Sequence, residues 1–228
     1  MTTQRHQHEH QHGAPVALEP TAATPAWRLL FTLGLAGAAA GLLVVSVYRA
    51  TLPTIERYAA VKADAAVREV LAAPARWDTL YLVNDVLVAV APSGANPRAL
   101  AKAFVGRDSG GARTGVAVVA DGPGFQETLS LMVGFEPAKG ALIGIKVLEQ
   151  KETPGLGDKI ERDPSFLGQF IKHIAPVTGV KAKAADNTNQ VQTITGATIS
   201  SRAVIRIVNR AVARWRPLLR AYDKGAAP

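Results

Sequence analysis

Apolar and small residues run without a charge from Leu29 to Tyr48, a stretch of twenty residues near the N-terminus. As a helix rising about 1.5 Å per residue, this stretch is about 30 Å long, which is the thickness of the hydrocarbon core of a bilayer. An arginine flanks it on each side, and Trp27 and Tyr48 stand at interfacial depth. The pattern predicts a transmembrane helix over residues 27–49. We expect it to be retained as an anchor, because the residues that follow form a poor signal-peptidase site.

After the anchor the pattern predicts a helix and then strands. The alanine-rich segment 55–73 can place its apolar residues on one face, which predicts a helix that ends before Pro74. Apolar residues alternate over 129–135 and 143–147, on either side of 137–140, and predict a hairpin with one buried face. The remaining segments with strand character are 80–90, 114–120 before a turn at 121–124, and 191–194.

A short helix is predicted from Pro164, with Phe166, Phe170 and Ile171 facing inward. Helices and antiparallel strands then make up most of the chain beyond the anchor. The predicted fold class is therefore α+β, with a single N-terminal transmembrane helix followed by a mostly antiparallel sheet domain flanked by helices.

A strongly amphipathic run lies near the C-terminus, from Arg202 to Trp215. Its apolar residues recur at three- and four-residue steps, which predicts a helix with one packed face. They are Ala203, Val204, Ile207, Val208, Ala211, Val212 and Trp215. A row of arginines falls four residues apart on another face, a pattern typical of a solvated side opposite a packed one. The row consists of Arg202, Arg206, Arg210 and Arg214.

The turn before this helix has the composition of an anion-binding site. Gly196 and Ala197 are small enough to let a ligand approach the free N–H groups and the positive dipole end of the helix. Hydroxyl groups in the same segment can donate to phosphate oxygens, or one of them can carry a phosphate covalently. They belong to Thr195, Thr198, Ser200 and Ser201. Arg202, which we expect in the first turn of the helix, is also placed to meet a phosphate.

Three segments resemble one known family. Thr195–Ser201 resembles the (S/T)-G-A-T-x-(S/T)-S signature of the FMN-binding domain shared by the G subunit of the Rnf electron transport complex and the C subunit of the sodium-pumping NADH:quinone oxidoreductase. Glu152–Gly157 reads E-T-P-G-L-G, the family element that lies against the flavin ring. Residues 134–145 are similar to the family's glycine-containing hairpin. The one mild departure is Thr195, where many members have serine.

The resemblance implies covalently bound FMN. In this family a flavin transferase joins the phosphate of FMN to the last threonine of the signature, here Thr198, with FAD as the donor. The resemblance also implies cofactor contacts from the other motif residues. They are Thr195, Gly196, Ala197, Ser200, Ser201, Glu152, Thr153, Gly155, Leu156 and Gly157. Glu152 and Lys151 are candidates for tuning the redox potential of the ring, and each can equally be a surface charge.

The amino-acid composition limits the cofactors and partners that the protein can use. With 228 residues, 48% of them hydrophobic, the chain can hold one packed domain of about 150 residues besides the anchor and a tail. The absence of cysteine excludes disulfides and thiolate-held iron–sulfur or zinc sites, so redox chemistry has to come from an organic cofactor. A net charge of +8 permits nucleic acid, anionic lipid or acidic proteins as partners. The membrane segment favours membrane lipid and acidic proteins, and we expect no nucleic acid partner.

The predicted organisation has four parts: a disordered tail rich in His and Gln over 1–26, the anchor over 27–49, a helical connector over 50–75 and the FMN-binding domain over 76–228. The resemblance implies a single-pass protein of the bacterial inner membrane with its flavin domain on the periplasmic side. The basic residues near the anchor weakly favour the cytoplasmic side instead.

By resemblance the protein relays electrons within an Rnf-type ferredoxin:NAD oxidoreductase complex coupled to ion translocation, without substrate turnover of its own. Its partners would be the other membrane subunits of that complex and the flavin transferase. The alternatives are noncovalent FMN, an FMN subunit of a related quinone reductase, and a membrane-anchored binding or assembly module without cofactor. The sequence lacks the residue patterns of Rossmann and Walker nucleotide-binding sites. A Ser-His-Asp hydrolytic site is also not supported, because nothing in the sequence orients His173 as a base.

Overall fold

The computed structural model describes residues 25–97, 99–182 and 189–225. The elements of this part of the chain confirm the predicted α+β class. In chain order they are α1 (Ala26–Val70), β1 (Arg76–Val83), β2 (Val86–Val88), β3 (Lys102–Arg107), β4 (Arg113–Pro123), β5 (Thr128–Glu136), β6 (Ala141–Glu149), α2 (Lys159–Arg162), α3 (Pro164–Gly168), β7 (Thr178–Val180), β8 (Gln190–Gln192) and α4 (Thr198–Asp223). Residues 1–24 of the predicted tail lie outside the described part.

Helix α1 contains the apolar stretch. The chain divides into two units after Thr54. The described part of the first unit is almost entirely the beginning of α1. This segment is long and apolar enough to cross a membrane, with a mean hydropathy of 2.2 over its most apolar window and none of that window buried. Helix α1 continues through Pro53 to Val70. The predicted anchor and connector are thus parts of one helix, and the boundary between them stays a prediction.

The second unit, from Ile55 onward, is built on a six-stranded antiparallel sheet. Its strand order is β2-β1-β3-β4-β5-β6. The predicted hairpin is confirmed as β5 and β6, which pair from Glu136 opposite Ala141 to Ser130 opposite Glu149. Gly140 closes their turn at a φ of +75°, and its N–H donates to the carbonyl of Glu136 at 2.7 Å. A residue without Cβ adopts that left-handed conformation at little cost, which explains the glycine.

Strand β5 is buried on both faces, whereas β6 is buried on one face and partly exposed on the other, so the prediction of one buried face was wrong for β5. On β5, Leu131 and Val133 belong to the core beneath α4, whereas Met132 belongs to a second cluster with Val67 and Val70 at the end of α1. All three β5 residues have no exposed surface. The end of α1 and helix α4 therefore cover opposite faces of β5, and a strand buried on both faces reads as a continuous apolar run.

Glycines let both helices approach the sheet closely. A Cβ added to Gly144 would lie 3.0 Å from the carbonyl oxygen of Val70, and one added to its partner Gly134 would lie 2.4 Å from a Val70 methyl group. On the other face, a Cβ on Gly122 would meet the Ile207 side chain at 2.6 Å. The glycine-containing segment 134–145 therefore serves packing against α1.

The structure corrects two of the predicted strands and adds one strand that was not predicted. Segment 80–90 is two strands, β1 and β2, because Asn84 and Asp85 adopt φ values of 49° and 61°, as a two-residue hairpin turn requires. Strand β4 continues through the predicted turn at 121–124, and the chain reverses at Gly124–Glu127 instead, where the N–H of Gly124 donates to Glu127. Strand β3 was not predicted.

The segments that lead to the last helix follow the prediction more closely. Asp163 caps α3 by accepting from the N–H groups of Ser165 and Phe166. Phe166 and Phe170 are buried and meet edge to face, but Ile171 is 48% exposed, so its predicted inward orientation was wrong because α3 ends at Gly168. The predicted strand at 191–194 appears as β8, which pairs in parallel with β7 in a separate two-stranded sheet.

Helix α4 packs as its periodicity predicts. Each of the predicted inward residues is buried, and the arginine row is exposed throughout. The helix begins at Thr198, four residues before the predicted amphipathic run, and extends to Asp223.

Candidate functional site

Three segments meet at the N-terminus of α4 and enclose a cavity of about 380 Å³. They are the turn between β4 and β5, the loop that follows β6, and the first turn of α4 with the residues before it. The lining residues are Phe125, Glu152, Thr153, Leu156, Gly157, Gly196, Ala197, Thr198, Ile199 and Ser200. This volume falls in the range of about 300–1,000 Å³ that is usual for small-molecule sites.

The start of α4 presents unpaired backbone donors to this cavity. The residue before the helix, Ala197, gives no side-chain cap, and the first helical hydrogen bond runs from the Ser201 N–H to the Ala197 carbonyl at 2.9 Å. The N–H groups of Thr198, Ile199 and Ser200 have no acceptor within the described part of the chain. Together with the helix dipole, three free donors form a site for an anion.

Thr198 is the first residue of α4 and lines the cavity. It is half-buried, and its hydroxyl makes no hydrogen bond with the residues that the structure describes. Gly196, two residues earlier, adopts a φ of +84°, which turns the chain from β8 into the helix. The hydroxyl is therefore available beside the three free N–H groups.

Ser201 fixes the shape of this turn from behind. Its hydroxyl is completely buried, accepts from the N–H of Ile194 at 3.1 Å and donates to the carbonyl of Ala197 at 2.9 Å. The N–H of Ala197 donates in turn to the carbonyl of Ile194 at 3.0 Å. The hydroxyl thus holds the two ends of the turn together.

Glu152 joins all three segments. Its side chain is 96% buried, since only 4% of its surface is exposed. One carboxylate oxygen accepts from the N–H groups of Phe125 at 2.7 Å and Gln126 at 3.3 Å, and the other accepts from the Ser200 hydroxyl at 2.6 Å. A buried carboxylate needs such donors, because an unpaired charge away from water is costly.

Two glycines make room for this carboxylate. A Cβ on Gly124 would lie 2.3 Å from one oxygen of Glu152, and a Cβ on Gly157 would lie 2.8 Å from the other and 3.0 Å from the Ser200 hydroxyl. Neither glycine has a positive φ, so their role is space. The glycine of the E-T-P-G-L-G element at 157 therefore permits the Glu152–Ser200 contact.

The structure brings most of the predicted cofactor-contacting residues together around the cavity. The exceptions are Thr195, Gly155 and Ser201. Among the serines, the hydroxyls of both Ser200 and Ser201 donate inside the protein. Thr195 is exposed next to the cavity, and its hydroxyl, like that of Thr198, makes no hydrogen bond within the described residues.

Lys151 and Arg202 lie outside the cavity. Lys151 forms an exposed ion pair with Glu127 at 2.8 Å, and hydrogen bonding to that carboxylate raises the pKa of the ammonium group. Arg202 was expected in the first turn of the helix, but it lies in the second because α4 begins at Thr198. Phe125 lines the cavity and was not predicted, since only the glycine-rich turn before it marked this segment.

A larger cavity of about 560 Å³ lies at the other end of α4. Its charged residues pair with each other, Arg107 with Asp78 and Arg113 with Asp223, both at 2.6 Å. The cavity at the start of α4 is smaller, but it combines free donors, a free hydroxyl and apolar surface. Those features make it the candidate site.

Comparisons with known proteins identify the domain that contains this cavity. The profile of the FMN-binding domain matches residues 124–213, which include all three segments that enclose the cavity. The chain is 28% identical over 199 residues to the G subunit of the Na(+)-translocating ferredoxin:NAD(+) oxidoreductase complex of Acetobacterium woodii, covering 84% of this chain and 94% of that protein. It is 30% identical over 185 residues to the G subunit of the ion-translocating oxidoreductase complex of Methanosarcina acetivorans, covering 81% and 92%.

Among solved structures, NqrC of Shewanella oneidensis superimposes with a TM-score of 0.52 at 20% identity, over 64% of this chain and 84% of that one. That likeness confirms the fold. The fold and the site together define a protein with an FMN-binding domain and one N-terminal apolar helix that fits a single-pass membrane anchor. The chain belongs to the G-subunit family of ion-translocating oxidoreductase complexes, as its sequence motifs indicated.

Proposed function

We propose that Thr198 carries FMN, bound covalently through its phosphate, and that the protein relays electrons within a complex of the Rnf type. One observation carries the proposal: a half-buried threonine hydroxyl without a hydrogen-bond partner among the described residues stands at the first position of α4, beside three free N–H groups and at a cavity. A phosphodiester at this oxygen keeps one negative charge. The helix N-terminus stabilises such a charge by about 0.3–1 kcal/mol, and by more where it is partly buried.

The attachment reaction balances with FAD as the donor. The Thr198 oxygen attacks the phosphorus of the flavin half, the pyrophosphate P–O bond breaks, AMP leaves, and the hydroxyl proton passes to a base of the transferase or to solvent. A half-buried hydroxyl at a helix start is open to a modifying enzyme, whereas Ser200 and Ser201 are buried and already donate within the protein. This difference supports Thr198 as the attachment site.

The rest of the cavity fits a flat, largely apolar ring. Phe125, Leu156 and Ile199 line it with side chains that are 48–56% exposed, so apolar surface stays open beside the phosphate site. Thr153 and the backbone of Gly157 lie on the loop that would contact the ring. Bound FMN would supply the redox chemistry, and these residues would position it and limit its contact with water.

The family and the apolar helix support the wider proposal. We infer partners among the other membrane subunits of such a complex, a flavin transferase and the lipid around α1. We also infer a bacterial inner membrane location, with the flavin domain over 76–228 on the periplasmic side. In this arrangement the protein exchanges electrons with neighbouring redox groups and turns over no substrate alone.

The test is to express the full chain with and without a flavin transferase, denature it, and look for flavin fluorescence at its band in a gel. We expect fluorescence only with the transferase, and an intact mass increased by FMN minus water. Thr198→Val removes the hydroxyl at nearly constant shape and should abolish both signals. Thr195→Ala should keep at least part of them, and the matched control Thr178→Val, on an exposed threonine of β7, should keep them fully.

Three results would contradict the proposal. Unchanged fluorescence in Thr198→Val would place the ester elsewhere. Flavin that copurifies but leaves on denaturation would mean noncovalent binding, and a folded protein without flavin from cells that contain the transferase would favour an anchored module without cofactor.

A further inference from the structure

Four exposed arginines line one side of α4, beginning next to the candidate flavin site. They are Arg202, Arg206, Arg210 and Arg214, defined here as the arginine row. Each is separated from the next by four residues, so all four lie along a slowly winding stripe of the helix. Ile199, which lines the cavity, stands seven residues before Arg206 and therefore on the same face of the helix.

The row is anchored to the mouth of the cavity. Arg206 donates to the carbonyl of Pro123 at 3.3 Å, immediately before the turn that carries Phe125. Phe125 is 56% exposed, Ile199 55% and Leu156 48%. The result is an open apolar centre, formed by these three side chains, with a basic border on one side.

The arginine row forms no ion pair within the described part of the chain. Other arginines of the same helix are used internally: Arg216 and Arg220 donate to the carbonyls of Pro137 and Ala138. Like charges at four-residue spacing destabilise a helix, and no ion pair among the described residues offsets the repulsion within the row. Asp121, the acidic residue that lines a small cavity with Arg210 and Arg214, makes no ion pair with either within the described residues.

We propose that the arginine row and the apolar centre together dock an acidic protein surface that exchanges electrons with the cofactor at Thr198. The inference rests on the proposed function and adds the chemistry of the partner. Charge complementarity identifies the occupant: a free basic stripe selects an acidic surface, and an apolar centre inside a charged border is the usual anatomy of a protein–protein interface. Long-range attraction brings such partners together quickly in a transient complex.

The test uses the full chain, loaded with flavin and inserted in lipid nanodiscs, and the remaining subunits of the complex purified from cells that lack this one. Association is measured at low and high ionic strength. Arg206→Glu/Arg210→Glu should weaken association about tenfold or more at low salt and flatten its salt dependence. The matched control is Lys139→Glu/Lys172→Glu, which makes the same change in net charge at exposed lysines outside the row and should stay near wild type.

The outcomes separate this proposal from its alternatives. Equal weakening in the control pair would overturn it, because net charge rather than the row would then matter. The association of the arginine variant and of the lysine control could also differ only in nanodiscs of anionic phosphatidylglycerol and not in nanodiscs of neutral phosphatidylcholine. That result would overturn the proposal in favour of a lipid contact. In-gel fluorescence of every variant shows whether flavin is attached, so loss of attachment is distinguished from loss of docking.

Discussion

The Ser200 hydroxyl donates to the Glu152 carboxylate at 2.6 Å, across 48 residues of chain. Both residues are buried, and the second oxygen of Glu152 holds the turn at Phe125. This contact assembles the candidate site, because each of the three segments that line the cavity contributes one partner. Its removal should therefore disturb both the fold and the site.

Glu152→Ala should lower the free energy of unfolding by about 1–3 kcal/mol, because the N–H of Phe125 and the Ser200 hydroxyl both lose their acceptor. Glu152→Gln, which keeps an amide oxygen as acceptor, should cost less. Urea unfolding of the full chain in detergent measures both. Glu127→Gln is the control, since the Glu127 side chain is exposed and pairs with Lys151 at the surface. An equal cost for Glu127→Gln and Glu152→Ala would refute the role of Glu152.

Gly157→Ala should disturb the site directly. The new methyl group would lie 2.8 Å from the Cβ and one carboxylate oxygen of Glu152, so the loop has to move. We expect a loss of about 1–3 kcal/mol in stability and weaker flavin attachment in the gel assay. Gly168→Ala, where a Cβ would meet nothing within 4 Å, should attach flavin as wild type does. Normal attachment in Gly157→Ala would show that this glycine is dispensable.

Ser201→Ala should destabilise the turn before α4. It removes the acceptor of the half-buried Ile194 N–H, which costs up to about 1–3 kcal/mol when the donor is left unpaired. Hydrogen exchange of the Ile194 amide should accelerate more than that of the sheet amides. The control is Ser109→Ala, at an exposed serine between β3 and β4. Unchanged exchange at Ile194 would mean that the turn is held by its backbone alone.

The cap of α3 should give a pH-dependent contribution to stability. Hydrogen bonding from the Ser165 hydroxyl, and then from backbone N–H groups, lowers the pKa of Asp163. Because the folded pKa lies below the unfolded value of about 3.9, the charged cap stabilises the fold above about pH 4 and is lost as the pH falls through the folded value.

Asp163→Asn keeps a capping oxygen but cannot titrate in this range. The stability difference between wild type and this variant should therefore be largest near neutral pH and shrink below about pH 4. Urea unfolding at several pH values measures it. Parallel stability profiles down to low pH would show that Asp163 has the same pKa in the folded and unfolded chain.

The spacing of apolar residues in the sequence was enough to predict part of the fold. The hairpin of β5 and β6 and the buried face of α4 follow from periodicity, since side-chain direction repeats every two residues in a strand and about every 3.6 in a helix. The hairpin at Asn84 and Asp85 was missed because apolar residues on both sides hide a two-residue turn. The burial of Met132 on the second face depends on α1, which packs there from far away in sequence.

The chain by itself determined the apolar anchor segment, the α+β class and the motif that places a threonine at the start of a helix, because each depends on residues close together in the sequence. Tertiary structure alone decided which donors and acceptors in those motifs remain free. Ser200 and Ser201 look like phosphate ligands in the sequence, but their hydroxyls are engaged by Glu152 and Ala197. The Thr198 hydroxyl makes no hydrogen bond with the described residues. Sequence alone could not separate Thr198 from Ser200, because the Ser200 partner, Glu152, lies 48 residues away and meets it only in the folded domain.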